Sequence, residues 1–143
     1  MIKVLFLCVH NSARSQMAEA YLKKFGHAKF VVESAGLEPG TLNPLAVEVM
    51  KEDNIDISKN PTKDVFEFIK QGKNFNYVVT VCDANASERC PVFPGLSKKM
   101  NWAFDDPSQF TGTYEEKLFK TREVRNKIKE AVLELVEGLD DKN

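Results

Sequence analysis

A cysteine and an arginine that are separated by five residues form the part of this sequence best suited to chemistry. Cys8 comes first and Arg14 and Ser15 end the motif. A cysteine thiolate is a strong nucleophile, and an arginine offers a planar pair of N–H donors that matches a tetrahedral oxyanion. The spacing therefore indicates a nucleophile at the floor of a loop that binds an oxyanion. The loop residues that would bind it, together with Arg14, are Val9, His10, Asn11, Ser12 and Ala13.

The segments on either side of this motif are those that would position it. The apolar run from Val4 to Leu7 predicts a buried parallel strand, and the apolar residues spaced by three and four from Met17 to Phe25 predict a helix. The loop between them would direct its N–H groups into one space at the positive end of the helix, which is a ready anion site. The same groups favour the thiolate over the thiol, whose ordinary pKa is about 8.5.

Several residues of the motif have two interpretations. Ser15 either donates a hydrogen bond to the sulfur or caps the helix. His10 either assists Cys8 and the substrate or faces solvent, and we favour the second. Asn11 is expected to serve the backbone, since asparagine tolerates the left-handed conformation of tight loops. Cys8 alone would fit a buried core thiol, but a strand before it and a helix after it favour a functional loop.

Composition limits the classes of protein that fit. The chain has 143 residues, enough for one domain over residues 1–143 with a real core. Its net charge of −1 gives no sign of a nucleic-acid or membrane-surface partner, and no apolar run reaches membrane-spanning length. We expect a cytoplasmic monomer, in which three cysteines are catalytic or redox-active rather than structural.

Strand and helix patterns alternate along the chain. This order predicts an α/β domain in three layers, with a four-stranded parallel sheet flanked by helices. Residues 83–95 are polar and then proline-rich, which fits either a loop or a short helix. The further predicted strands are Phe30–Ser34, Tyr77–Val81 and Lys99–Ala103, and the further helices run from Pro44 to about Asp53, from Lys63 to Gln71 and from Tyr114 to about Gly138.

Three chemically useful groups each follow a predicted strand. Cys8 follows the first strand, Cys82 the third, and Asp105 and Asp106 the fourth. The carboxyl ends of parallel strands meet at one rim, where open α/β sheets bind ligands. We therefore expect a nucleophile, a second thiol and a carboxylate close together. Asp106 is a candidate general acid, or else it opens a turn before Pro107.

The motifs taken together resemble a known family. The segment from Cys8 to Glu19, with Glu33-Ser-Ala-Gly36, resembles the low-molecular-weight protein tyrosine phosphatases, a flavodoxin-like architecture, and most closely their thiol-dependent arsenate reductase branch. The resemblance covers essentially the whole chain. Its redox segment and acid loop are matched by Val79-Thr-Val-Cys82, Cys90-Pro91 and residues Trp102–Pro107.

This resemblance implies roles for individual residues. Cys8 would attack arsenate held by Arg14, Asp106 would protonate the departing oxygen, and Cys82 and Cys90 would carry a thiol–disulfide relay. Thioredoxin would be the protein partner, and no organic cofactor is implied. Phosphate or sulfate would be an analogue of arsenate in the loop. Some members bind potassium beside the loop, and the matching residues here are Asn11, Glu19, Ser34 and Asp64.

The sequence departs from the family pattern at two points. Ser108 follows Asp-Pro, where the phosphatases usually have tyrosine, and this weakens the phosphatase interpretation. Seven residues separate Cys82 from Cys90, whereas many reductases of this branch have one fewer. Two alternatives remain open. A low-molecular-weight phosphatase would need neither Cys82 nor Cys90, and a non-catalytic oxyanion-binding module would need only the loop.

Overall fold

A parallel sheet lies at the centre of the computed structural model, which describes residues 1–82 and 93–140. Within these residues the sheet has four strands in the order β2-β1-β3-β4, with every neighbouring pair parallel. The predicted α/β class and four-stranded sheet are confirmed. The strands are β1 Ile2–Cys8, β2 Phe30–Gly36, β3 Tyr77–Cys82 and β4 Lys98–Ala103.

The helices begin where capping side chains favour it. Asn43 accepts a hydrogen bond from the Leu45 N–H at 2.9 Å and is followed by a proline, as predicted. Thr113 and Glu116 form a reciprocal capping box at the start of the last helix. The helices are α1 Arg14–Gly26, α2 Pro44–Glu52, α3 Val65–Lys70 and α4 Tyr114–Asp140, and short 3-10 turns cover His27–Lys29 and Pro107–Gln109.

Three local predictions need correction. Helix α1 begins at Arg14, and Ser15 lies inside it rather than at its cap. Helix α3 begins two residues after the predicted Lys63, because the Asp64 side chain caps it by accepting from the Phe66 N–H at 2.9 Å. The 3-10 turn after Asp106 was not predicted. The loop or short helix predicted over residues 83–95 lies outside the described residues except for its last three.

Alternate residues of β1 face two apolar clusters, so that the sheet is covered on both faces. Val4 and Phe6 belong to the larger cluster with residues of α1, α2 and α4. Leu5 and Leu7 belong to the smaller one, under α3. Because both faces of β1 are buried, its residues from Val4 to Leu7 are all apolar and do not alternate with polar ones. This is the predicted three-layer arrangement. Among the helices of the described residues, none has a stretch long and apolar enough to cross a membrane.

Candidate active site

The loop between β1 and α1 is held from outside by the segment that follows β2. The carbonyls of Cys8, Val9, His10 and Ser12 accept hydrogen bonds from the backbone N–H groups of residues 37, 38, 40 and 43, at distances from 2.7 to 3.2 Å. In a planar trans peptide the next N–H points away from the carbonyl. Four loop N–H groups are therefore turned away from this segment, toward the inside of the loop.

Gly36 allows the segment to pass this close. A β-carbon on Gly36 would lie 2.8 Å from the Asn11 nitrogen and 2.9 Å from the Val9 oxygen, both backbone atoms. Only glycine lacks this atom, so any other residue would push the end of β2 away from the loop. The glycine that ends β2 therefore serves the loop as well as the strand.

The Cys8 sulfur lies at the floor of the loop and receives two hydrogen bonds. The Asn11 N–H donates to Cys8 Sγ at 3.0 Å, and Ser15 Oγ lies 2.9 Å from the same sulfur. Ser15 Oγ also accepts from the Asn11 side-chain amide at 2.7 Å, which leaves its own hydrogen to point at the sulfur. Of the two roles predicted for Ser15, the geometry supports the contact with sulfur. Two hydrogen-bond donors therefore point at the Cys8 sulfur.

Asn11 is the centre of the hydrogen bonds behind the loop. Its φ of 53° is left-handed, as its residue type predicted, and its side chain is fully buried. The amide nitrogen donates to Ser15 and, at 2.9 Å, to Ser34 Oγ, and Ser34 in turn donates to the Glu19 carboxylate. The amide oxygen accepts from the Lys63 N–H at 2.9 Å. Asn11 thus connects the thiol at the front to a carboxylate at the back.

Arg14 closes the loop on the side of β4. Its guanidinium is 3% exposed, donates to the Phe104 carbonyl at 3.1 Å and lies 3.5 Å from Asp106 Oδ2. The other Asp106 oxygen accepts from the Ser108 N–H at 2.9 Å, so Asp106 also opens the 3-10 turn. Asp105, by contrast, is exposed. The structure therefore brings Asp106, as predicted, to the mouth of the loop.

His10 lies on the outer side of the loop. It is exposed, and its Nδ1 lies 2.9 Å from the Glu38 carbonyl, to which the ring N–H donates. This position agrees with the interpretation that we favoured, a surface residue of the loop. Val9, Ser12 and Ala13 lie in the loop as predicted, where they contribute backbone groups.

The second thiol also lies at this end of the sheet. Cys8 and Cys82 end the neighbouring strands β1 and β3, whose register pairs Leu7 with Thr80. Cys82 is 4% exposed and disulfide-bonded, whereas Cys8 is a free, buried thiol. Cys90 lies outside the described residues. Three of the predicted groups, Cys8, Cys82 and Asp106, therefore follow strands that end at the same rim.

The residues matched to potassium are only partly suited to it. Ser34 and Asn11 do lie beside Glu19, but the Glu19 carboxylate is already paired with Lys23 Nζ at 2.5 Å and Lys63 Nζ at 3.6 Å. The Asn11 oxygen accepts two N–H groups, and the Asp64 side chain caps α3. In the described part of the chain, no three or more of His, Cys, Asp and Glu cluster as a metal site. This arrangement does not fit a potassium ion, because its oxygens are engaged and lysines supply the positive charge.

Residues that the sequence did not single out complete the site. Gln16 is fully buried and contacts Asn11, while Lys63 reaches both Asn11 and Glu19. The available signal was weak. A glutamine is an unusual residue at a fully buried position, but burial is not visible in the sequence, and two of its partners, Asn60 and Pro61, are far away in the chain.

Known proteins share this architecture. Residues 3–143 match the family described as low molecular weight phosphotyrosine protein phosphatase. The chain is 42% identical over 134 residues to the arsenate reductase of Bacillus subtilis (strain 168), with 94% of each chain covered. A solved structure described as an arsenate reductase in the phosphate binding state superposes with a TM-score of 0.77 at 31% identity, covering 96% of this chain and 98% of that one.

A further similarity is to a second solved structure. The thioredoxin-dependent arsenate reductase of Corynebacterium glutamicum superposes with a TM-score of 0.73 at 26% identity, and the match covers 100% of this chain and 64% of that one. The family match spans nearly the whole sequence, and the loop, the sheet order and the buried cysteine fit it. The chain therefore belongs to the low molecular weight phosphotyrosine protein phosphatase family and is similar, over most of its length, to that family's arsenate reductases.

Proposed function

We propose that this protein reduces arsenate to arsenite with Cys8 as its nucleophile. The observation that carries the proposal is the loop itself, in which Cys8 Sγ receives the Asn11 N–H at 3.0 Å and lies 2.9 Å from Ser15 Oγ. Arg14 and Asp106 lie at its mouth. Arsenate is a tetrahedral oxyanion like phosphate, and proteins similar to this chain bear the name arsenate reductase.

The first step forms a sulfur–arsenic bond. The Cys8 thiolate attacks As(V), and one arsenate oxygen departs as water after accepting protons, one of them from Asp106. Arg14 and the inward-facing N–H groups of residues 9, 10, 11 and 13 hold the remaining oxygens and their negative charge. They are in place before the reaction, so no reorganisation is needed as the charge moves.

The second step reduces the arsenic. The Cys82 thiolate attacks the Cys8 sulfur, the sulfur–arsenic bond breaks, and its electron pair stays on arsenic, which leaves as As(III) in arsenite. The Cys90 thiolate then attacks the Cys82 sulfur, which restores the Cys8 thiolate and leaves a Cys82–Cys90 disulfide. A disulfide-bonded Cys82 beside a free Cys8 is the arrangement expected when this relay is complete.

An external dithiol must then reduce the disulfide. Similarity to a thioredoxin-dependent enzyme supports thioredoxin as this partner. Both electrons come from thiols, so the scheme needs no organic cofactor. We place the reaction in the cytoplasm, where dithiol reductants keep cysteines reduced. We expect a monomer, because all the residues named in the scheme belong to one chain.

One pair of assays tests this function against its rivals. NADPH consumption that depends on arsenate is measured with thioredoxin and thioredoxin reductase, and hydrolysis of p-nitrophenyl phosphate is measured in parallel. We expect arsenate turnover, and its loss in Cys8→Ser, because a serine hydroxyl is not ionised near neutral pH. Ester hydrolysis without arsenate turnover would identify the protein as a phosphatase. Phosphate binding without either activity would identify it as a non-catalytic oxyanion-binding module.

A further inference from the structure

Gln16 is a polar side chain in a position that an apolar residue would normally take. It is the third residue of α1 and is fully buried. Burying an amide costs free energy unless its hydrogen bonds are made inside the protein. The amide nitrogen and the amide oxygen of Gln16 both have hydrogen-bond partners, so its contacts explain why it is a glutamine.

Those partners belong to two different parts of the chain. Gln16 Nε2 donates to the Asn11 carbonyl at 3.2 Å and to the Asn11 side-chain oxygen at 3.1 Å. The same nitrogen donates to the Pro61 carbonyl at 2.9 Å, and Gln16 Oε1 accepts from Asn60 at 3.3 Å. Gln16 therefore joins the oxyanion loop to the segment that precedes α3.

Asn11 needs such support because of its conformation. A left-handed φ of 53° is less favourable than ordinary helical or extended backbone even for asparagine, which tolerates it better than most residues, so contacts that hold it matter. Gln16 holds the carbonyl of this residue and its side-chain oxygen at once. The peptide nitrogen on the other side of the same α-carbon is the one that donates to Cys8 Sγ.

We infer that Gln16 is a positioning residue for the reaction at Cys8. By holding Asn11 at two points, it keeps the Asn11 N–H aimed at the sulfur and the Asn11 side chain aimed at Ser15. It thereby sets both the reactivity of the Cys8 thiolate and the affinity of the loop for a tetrahedral oxyanion. The inference rests on the proposed function only in taking Cys8 as the reacting atom.

The test replaces Gln16 without changing its size. Gln16→Met has nearly the same length but no amide, and Gln16→Glu keeps the shape but cannot donate. The rate of alkylation of Cys8 by iodoacetamide at pH 6.5 is measured on the reduced protein, with inorganic phosphate as the protecting ligand. We expect both variants to be alkylated about tenfold more slowly and to be protected only at about tenfold higher phosphate.

Two control variants separate positioning from general stability. Val49→Ala removes core volume at a fully buried position in α2 that has no side-chain hydrogen bond to lose, and should lower the melting temperature without altering alkylation or phosphate protection. Thr121→Val removes a hydrogen bond of 2.7 Å from a buried hydroxyl to the Lys117 carbonyl within α4, which involves neither Asn11 nor Cys8, and should likewise leave both unchanged.

The alkylation and protection measurements either support or overturn the positioning role of Gln16. Slower alkylation and weaker protection in Gln16→Met or Gln16→Glu, with normal values in the controls, support the positioning role. Unchanged values in a folded Gln16 variant, or an equal loss in Val49→Ala, overturn it. If Gln16→Met does not fold, Gln16→Glu alone decides between these results. Neither measurement uses arsenate, so the two hypotheses can fail separately. If the unaltered protein did not reduce arsenate, the proposed function would be refuted, but the positioning role of Gln16 could still be tested.

Discussion

Arg14 and Asp106 face each other across the mouth of the oxyanion loop, with Arg14 Nη2 3.5 Å from Asp106 Oδ2. These two residues come from distant parts of the chain, one from the start of α1 and one from the loop after β4. Their side chains are 3% and 14% exposed. A substrate bound in the loop would therefore meet both the Arg14 guanidinium and the Asp106 carboxylate at the mouth of the loop.

The position of Asp106 predicts a large effect of its replacement. Asp106→Asn removes the proton donor with little change of shape, and we expect the chemical step to fall about 100-fold or more. The neighbouring Asp105→Asn is the matched control, since Asp105 is exposed and its loss should matter far less. The rate of arsenite formation in a single turnover measures the effect of each substitution on the chemical step. If Asp105→Asn proved the more damaging change, the acid would have been assigned to the wrong carboxylate.

Arg14→Lys tests whether catalysis needs the two parallel N–H donors of the guanidinium or only its positive charge. An ammonium group cannot form two parallel hydrogen bonds to an oxyanion and reach the Phe104 carbonyl as well. We expect a loss of about 2 kcal/mol in transition-state stabilisation, or roughly thirtyfold in kcat/KM for arsenate. Steady-state kinetics in the coupled assay give this value. Near-normal kinetics would exclude the proposed role of Arg14.

The thiol relay predicts that each serine variant stops at a different point. Cys82→Ser should leave the arsenic adduct on Cys8, so that arsenite appears only after an external thiol is added. Cys90→Ser should release one arsenite per protein and then stall as a Cys8–Cys82 disulfide. Arsenite quantification and peptide mapping of the arrested forms check both results. Full multiple turnover with thioredoxin in Cys90→Ser would show that Cys90 is not the final resolving thiol.

The lysines around Glu19 predict indifference to potassium. Because Lys23 and Lys63 pair with the carboxylate, replacing potassium chloride by choline chloride at constant ionic strength should leave the melting temperature and arsenate turnover nearly unchanged. Lys63→Met removes one of the two ammonium groups and should make both quantities depend on potassium. A strong dependence in the unaltered protein would instead favour the cation site implied by the family resemblance.

A hydrogen-bonded pair outside the loop, the buried Tyr21 and the partly exposed Asp53, predicts how stability depends on pH. The Tyr21 hydroxyl donates to Asp53 at 2.6 Å, which lowers the pKa of that carboxyl, and Lys129 contributes in the same direction. Burial is the main cause of the raised pKa of Tyr21 itself. A carboxyl whose pKa is lower in the folded state stabilises the protein fully above its unfolded pKa, and this stabilisation is lost as the pH falls through the folded pKa.

Tyr21→Phe should therefore lower the free energy of unfolding by about 1 to 2 kcal/mol at pH 7. The difference from the unaltered protein should shrink below about pH 4, where Asp53 becomes protonated in the unfolded chain. Urea unfolding across this pH range measures it. A difference that stayed constant with pH would mean that packing, and not the hydrogen bond to the carboxylate, is what the substitution removes.

The sequence by itself determined the local architecture of the site. An apolar run followed by Cys8, and a helical stripe after Arg14, were enough to predict a strand, a loop and a helix in that order. The Asn43-Pro44 start of α2 and the left-handed Asn11 were also predicted correctly. These features depend on residues close together in the chain, where periodicity, capping and backbone preference act directly. The rim formed by Cys8, Cys82 and Asp106 followed from parallel topology alone.

Only the tertiary structure decided what stands behind the loop. Gln16 reaches Pro61, Lys63 reaches Glu19, and Arg14 reaches the Phe104 carbonyl, in each case across a long separation in sequence. Such contacts leave no periodic pattern, because they depend on how strands and helices pack and not on which residue follows which. The same reason explains why the family resemblance implied potassium at four matching residues, while the two lysines that pair with Glu19 were not foreseen.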